Sequence, residues 1–332
     1  MRYNIFISTF FLFFLCFSCT TVRVPCKIIH PADVNMSKYK QLAVDEFKGK
    51  CGHDAKGYFK EKLTQSDRFT VVDRAHLDKI QTELSLSQSG ASDNSAKLSI
   101  GKLITASAII SGHISCDYDE NITSEDKKCT KYDPKTKESY EYSCIRYKRY
   151  GTYRISGDID VIDVETGRTI STKTLKTKAD ELTSKIDGTP EPIDKGALKI
   201  KCMDKLVSDF AKTILPWTTI EEIPYKKASN IPALEIGINK VRIGEMDEAI
   251  QIFLESLNSL KKDPKIKPKD ISVILWDLGL TYEYSWQFDK AIEAFKEAYI
   301  LNPDDNLREE IENVYKLKEE RKKLEEQGEM KK

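Results

Sequence analysis

Eight cysteines and four histidines are the residues of this 332-residue chain whose types invite chemistry. Cys26 and His30 stand four apart, and Cys51 and His53 two apart. Two thiolates and two imidazoles would suit zinc in kind, but the spacing is not that of a zinc finger, and no metal site is expected. His76 falls on an expected helix and His113 at the end of an expected strand. Each reads as a surface or structural residue rather than a base. The chain has no glycine-rich phosphate loop, no Gly-x-Ser-x-Gly elbow and no His-Glu-x-x-His. Acidic residues are so abundant that any chosen pair would be arbitrary. The expectation is a protein that is no enzyme, with no catalytic residue and no cofactor.

What the thiols do depends on the compartment, and the first residues bear on that. Arg2 supplies one charge, and residues 5–17 are almost wholly apolar, from Ile5, Phe6 and Ile7 through Phe10, Phe11, Leu12, Phe13, Phe14 and Leu15. As a helix of roughly 13 residues this run spans about 20 Å, short of the ~30 Å hydrocarbon core. It reads as the apolar region of an export signal (residues 1–18) rather than a permanent span. The run ends in Leu15-Cys16-Phe17-Ser18-Cys19. A small residue followed by Cys resembles the lipobox of bacterial lipoproteins, which makes Cys19 the lipidated residue and new N-terminus. Phe17 and Cys16 are not the favoured residues of that box. By the familiar sorting rule Thr20, in place of Asp, favours the outer membrane, with the chain facing the periplasm.

Export leaves six cysteines, Cys26, Cys51, Cys116, Cys129, Cys144 and Cys202. An even number in an oxidising compartment points to disulfides, and six cysteines allow 15 pairings. The expected pairs are Cys26 with Cys51 and one within Cys116, Cys129 and Cys144, because those segments flank neighbouring strands.

Bulk composition narrows the function classes. The chain carries 53 Lys+Arg against 53 Asp+Glu, and a net charge of zero argues against nucleic-acid binding, which needs a basic surface. A hydrophobic share of 40% is enough for a core, while a mean hydropathy of −0.47 rules out a polytopic helical membrane protein.

The elements that would position these residues fall into two patterns. From 38 to 217 the pattern alternates strand and helix. Residues 41–47 (Leu42, Ala43, Val44, Phe47) read as a strand. A helix with Tyr58, Phe59 and Leu63 follows, capped by Asp54. Arg68-Phe69-Thr70-Val71-Val72-Asp73 is a second strand. Ala75, Leu77, Ile80 and Leu84 form a helix, residues 87–93 a loop, and residues 96–103 a short helix. Residues 106–114 form a buried strand. Tyr153, Ile155, Ile159 and Val161 alternate as a long half-buried strand. Asp163-Val164-Glu165-Thr166-Gly167-Arg168 is a hairpin turn, and residues 169–178 return. Ala197, Leu198, Met203, Leu206, Val207, Phe210 and Ile214 stripe a helix that Pro216 stops. This is an α+β or α/β domain with a mixed sheet and flanking helices.

Leu42-Ala43-Val44 with Phe47, Leu63, and Arg68-Phe69-Thr70-Val71-Val72-Asp73-Arg74 with Leu77 resemble the start of the CsgG/HfaB family of curli-secretion lipoproteins. Gly90, Gly101-Lys102-Leu103, residues 106–110 and Gly112 look like its middle. Ile162-Asp163-Val164-Glu165-Thr166-Gly167-Arg168 looks like its strand–turn–strand. The resemblance covers roughly residues 38–210. It implies a lipid-anchored protomer, and in the founding member a ring in which each protomer gives two hairpins to a shared barrel, with a loop after the first strand narrowing the pore. Two departures stand out. Only residues 48–54 lie between Phe47 and the next helix, too few for that loop. The first candidate membrane hairpin, residues 116–150, is full of charge, and so is the second, residues 169–187. Cations on a lipid face cost roughly 2–4 kcal/mol each near the midplane.

After Trp217, Pro216, Pro224 and Pro232 punctuate a polar linker (218–229). Leu278-Gly279 with Tyr282, then Ala291, Phe295, Ala298 and Pro303, fits the tetratricopeptide repeat (TPR). Gly237, Gly244, Ala249 and Phe253 give an earlier copy. Ala249 to Ala291 is a step of 42, against the usual 34, so about eight residues are inserted around 263–270. Two repeats over 230–303, followed by a capping helix (Leu307, Ile311, Val314, Tyr315) and a charged tail to 332, make an all-α superhelical domain. Residues 19–37 are expected to be a tether. The expected function is an outer-membrane-anchored periplasmic assembly factor. It would bind a protein or peptide partner through the TPR groove and the membrane through its lipid, with no nucleic acid and room for a homo-oligomer. The alternative is a subunit of an oligomeric outer-membrane secretion channel.

Overall fold

The computed structural model describes residues 20–72 and 106–329. The export signal, Cys19 and the elements expected between 75 and 103 lie outside these residues. Two compact units result, one built on residues 31–216 with 326–329, the other on residues 20–30 with 217–325.

The first unit is a five-stranded mixed sheet in the order β3-β2-β4-β5-β6. β2 (Gln41–Val44) lies parallel to both β3 (Thr70–Val72) and β4 (Ala108–Asp133). β4, β5 (Glu138–Asp163) and β6 (Thr169–Ile186) run antiparallel. Ile110, Ile114, Ile155, Ile159 and Val161 point from one face into the core. Among the described residues that face is covered by α1 (Gly52–Gln65) and α2 (Lys195–Ile214), which meet where the Phe59 ring lies 5.3 Å from Phe210 and 4.8 Å from Phe47.

Local chemistry explains the boundaries. Asp194 caps α2 by accepting the Ala197 N–H at 2.9 Å. Leu198, Cys202, Met203, Leu206, Val207, Phe210 and Ile214 are its buried stripe. Asp54, expected as the cap of α1, instead lies in its first turn, where its charge suits the helix dipole and pairs with Lys199. Cys51 occupies the cap position. In the turn between β5 and β6 the buried Asp163 carboxylate accepts the Thr166 N–H at 2.9 Å and the Tyr39 hydroxyl at 2.7 Å. Gly167 there adopts a φ of +66° that disfavours a side chain. Those two donors, the backbone N–H first, hold the Asp163 carboxyl down to a pKa of about 2.

The second unit corrects two expectations. The tether and the polar linker are strands: β1 (Thr20–His30) pairs antiparallel with β7 (Trp217–Lys227) along its whole length. Their alternate residues Val24, Cys26, Ile223 and Tyr225 enter the helical core. Pro25 and Pro224 are accommodated because a two-stranded ribbon leaves every other backbone N–H free of the ladder. The helices are α3 (Pro232–Arg242), α4 (Met246–Leu260), α5 (Pro268–Tyr284), α6 (Phe288–Leu301) and α7 (Asp305–Glu326). β7 is tied to α5 by the Trp276 indole N–H, which donates to Pro224 O at 2.9 Å, and by the Lys226 N–H, which donates to Asp277 at 2.8 Å.

The two helical hairpins repeat one packing solution. Gly237 of α3 faces Phe253 of α4, and Gly279 of α5 faces Phe295 of α6. A methyl on Gly279 would come within 2.5 Å of the Phe295 ring. Gly279→Ala and Gly237→Ala are expected to destabilise the helical unit by about 1–3 kcal/mol each through overpacking, measured by thermal or urea unfolding. Gly57→Ala on α1, where a methyl meets nothing within 4 Å, is expected to be neutral or stabilising.

Asp163 yields a second expectation. A carboxyl depressed by folding contributes stability above its ordinary pKa near 3.9, lost as pH falls through about 2. Asp163→Asn should therefore lower the melting temperature at neutral pH, and the gap to wild type should close as the pH is taken from about 5 to about 2.

Candidate functional site

Two surfaces among the described residues are candidates for function. The first is the far half of the β4–β5–β6 ribbon. Ile193 packs against Gly151 of β5. Beyond Glu120 and Gly151 every residue of the β4–β5 hairpin except Cys144 is exposed or half-buried. The register sorts its side chains onto two faces. The face continuous with the core carries Ile122, Tyr132, Ile145 and Tyr147. The other carries Tyr140, Tyr142, Tyr150, Leu182 and Ile186.

Charges interrupt both faces. On the core-side face Arg149 pairs with Glu120, and Lys128 lies 3.7 Å from Glu141. On the other, Glu125 holds Lys148 at 2.6 Å and Arg146 at 3.6 Å. Lys148 first, with Arg146, draws the Glu125 carboxyl below its ordinary pKa; the Tyr118 hydroxyl and then Arg149 do the same to Glu120. A lipid-facing strand needs an unbroken alternate apolar row of about 9–11 residues. Neither face of β5 provides one. The second hairpin considered for a membrane, residues 169–187, is a single strand, β6.

Disulfides brace this ribbon at both ends. Cys129–Cys144 joins β4 to β5 diagonally near the tip, and Cys51–Cys116 ties the start of α1 to β4. The expected Cys26–Cys51 pair does not form. The chain after β2 continues along β4, with Lys48 bridged to His113 and the Ile114 N–H donating to Lys48 O at 2.7 Å, and this delivers Cys51 to Cys116. Cys26 and Cys202 are buried free thiols. Burial first, then Glu222, pushes the Cys26 thiol up to about 11, so it stays protonated. The Cys202 thiol donates to Tyr153 O at 3.2 Å. With Cys51 consumed by its disulfide, the Cys/His pairs of the sequence make no joint site.

The second surface belongs to the helical repeat. Ala249, Phe253, Leu278, Gly279, Tyr282, Ala291, Phe295 and Ala298 are all buried between helices, Gly237 faces Phe253, and Pro303 follows the end of α6. These are packing residues. A ligand would meet their exposed neighbours. The insertion noted in the sequence lines a cleft of about 360 Å³ with Lys265, Lys267 and Lys269 against Ala228, Asn230 and Val273. In α7 Leu307 and Val314 are buried as expected of a cap, but Tyr315 is half exposed, because the buried row runs on to Leu317 and Leu324 instead.

Sequence reasoning passed over two buried carboxylates of α5, Asp277 and Glu283. The available signal was their flanks: residues 271–284 are apolar all round, so any acid there must be buried.

Comparison with known proteins follows this division. Residues 31–189 match the family described as curli production assembly/transport component CsgG, and residues 272–305 match the tetratricopeptide repeat. No curated protein matches the chain. Among solved structures, a minor lipoprotein from Acinetobacter baumannii is 11% identical, covering 53% of this chain and 91% of its own, at a TM-score of 0.25. A PelC dodecamer from Paraburkholderia phytofirmans is 11% identical, with 57% and 98% covered and a TM-score of 0.23. Lipoprotein GNA1162 from Neisseria meningitidis is 9% identical, with 52% and 98% covered and a TM-score of 0.21. Similarity of this degree assigns no function. What the family matches establish is a chain that carries a CsgG-like domain followed by a C-terminal tetratricopeptide repeat.

Proposed function

We propose that this protein is a lipid-anchored assembly factor of the bacterial outer membrane, facing the periplasm, which binds a protein partner through its helical repeat. The observation that carries this reading is the charge on both faces of the β4–β5–β6 ribbon. Ion-paired residues on alternate rows suit a surface in water. The TPR supplies a frame for protein recognition, and the groups at its inter-repeat cleft are suited to binding rather than reaction. No helix of the described residues is long and apolar enough to cross a membrane. The tether in this reading is lipid on Cys19, after the resemblance of Ser18-Cys19 to a lipobox.

A second reading, a subunit of an oligomeric outer-membrane channel, has one observation in its favour. β4 beyond Ile114 has no backbone partner on its outer edge among the described residues, and β6 is likewise an edge. Unpaired edges of that length are templates for another strand.

The two readings separate experimentally. In the first, the wild-type protein fractionates with membranes, Cys19→Ala is released as soluble protein, and truncation after Asn230 abolishes capture of the partner from an envelope extract. Ring-shaped particles with a detergent belt in electron micrographs, or membrane retention of Cys19→Ala through the ribbon, would establish the channel instead.

A further inference from the structure

The capping helix α7 presents Leu307, Glu310, Val314, Leu317, Arg321 and Leu324 at alternating steps of three and four, a continuous row along one face. Leu307, Val314 and Leu324 of that row are buried. Glu310 therefore occupies an inward position flanked by apolar residues. Its carboxyl lies within side-chain hydrogen-bonding reach of Glu283, the penultimate residue of α5, which is 1% exposed. Neither Glu283 oxygen has a hydrogen-bond partner among the described residues. A buried, unpaired carboxylate costs several kcal/mol unless it takes up a proton.

The groups that act on the pair among the described residues bring no counter-charge. β7 contributes Glu221 and Tyr225, β1 contributes Cys26, α7 contributes Glu309 and Asn313 beside Glu310, and α5 itself adds Tyr284 and Asp277. All are acids or neutral groups. Cations further along α7 are engaged elsewhere: Lys318 lies 2.6 Å from Asp289 and Arg321 lies 3.1 Å from Glu325.

We propose that Glu283 and Glu310 share a proton across the α5–α7 seam, so that the capping helix is held while the pair carries that proton and released when both carboxyls ionise. Burial first, then Glu310 and Glu221, raises the Glu283 carboxyl above the ordinary range; burial first, helped by Glu221 and Glu309, raises Glu310 against the hydrogen bonds with Glu283 and Asn313 that lower it. The sign follows. A carboxyl whose folded pKa is raised contributes stability that is complete below its ordinary value near 4.3 and lost as pH rises towards the folded value. Low pH closes the seam and alkaline pH opens it, by up to tenfold in the opening constant per pH unit and proton.

The test is hydrogen–deuterium exchange of the full chain between pH 6 and pH 9, corrected for intrinsic exchange. Protection of residues 307–324 should fall by about tenfold or more across that range, while α6 stays protected. The double variant Glu283→Gln with Glu310→Gln should hold α7 protection within about twofold across the same range, since neither amide can ionise, and each single variant should show a smaller fall than wild type. Trp286 emission reads the seam independently, because the Arg321 guanidinium of α7 lies 4.9 Å from its ring. Flat wild-type protection would overturn the proposal, and so would an undiminished fall in the Gln variants. Should Glu283→Gln fail to fold by circular dichroism, the half-buried Glu310→Gln decides.

Discussion

One ladder, between β4 and β5, has to keep 26 residue pairs in a single register. It does so under two different regimes. Over the first half, from Ala108–Asp163 to Glu120–Gly151, alternate side chains are buried beneath α1 and α2, so a slip by one residue would turn Ile110, Ile114, Ile155 and Ile159 out to solvent and bring His113 and Asp158 in. Over the second half there is no core to enforce register. There the Cys129–Cys144 disulfide and the cross-strand ion pairs around Glu120 and Glu125 take over. A cross-link closing about 15 residues is worth about 3 kcal/mol on a chain-entropy account, more than exposed ion pairs supply. The disulfide near the tip is thus what makes so long a hairpin plausible away from a core.

The helical unit faces the opposite problem. Its central helix α5 is buried almost all round, and that burial includes two carboxyls. Asp277 is stabilised by the Lys226 N–H, although burial still lifts its pKa well above the ordinary value. Glu283 has no such donor. The unit accepts this cost where α5 meets both the β1–β7 ribbon and the capping helix. The same helix supplies Gly279, whose missing side chain admits Phe295. Tight packing and uncompensated polarity therefore sit within one turn of each other on α5.

How much of this could be read in the residues varies with the kind of signal. Period-2 runs above a core were legible, as in residues 106–114 and 153–161, and so was the glycine–aromatic register of the repeat, because sterics dictate those residue types. The mixed sheet followed from the order of the elements. The ribbon beyond residue 116 was obscured because charged residues interrupt both faces, so no hydrophobic alternation marks its strands. β1 and β7 were missed for a different reason. Each carries proline, and each buries its alternate residues only when paired with a strand some two hundred residues away, so neither looks like a strand alone. The disulfide partner of Cys51 was misjudged because nothing in residues 48–51 signals that this segment bridges to His113 and lies against β4.

That last segment bears on what the CsgG-like domain can do here. In the founding architecture the chain after the first strand extends to narrow a pore. In this chain it is seven residues long in all, fastened by the Lys48–His113 bridge, by backbone bonds from Lys48 and Cys51 to the β4 backbone, and by a disulfide. A segment held at both its backbone and its thiol has no free length with which to line a channel. The same fastening places α1 on the sheet and braces the base of the hairpin. The departures from the pore-forming pattern are therefore coupled: the short loop is pinned by a disulfide to the strand that leads into the charged ribbon, and in the reading we propose the three together serve display in water rather than a wall in lipid.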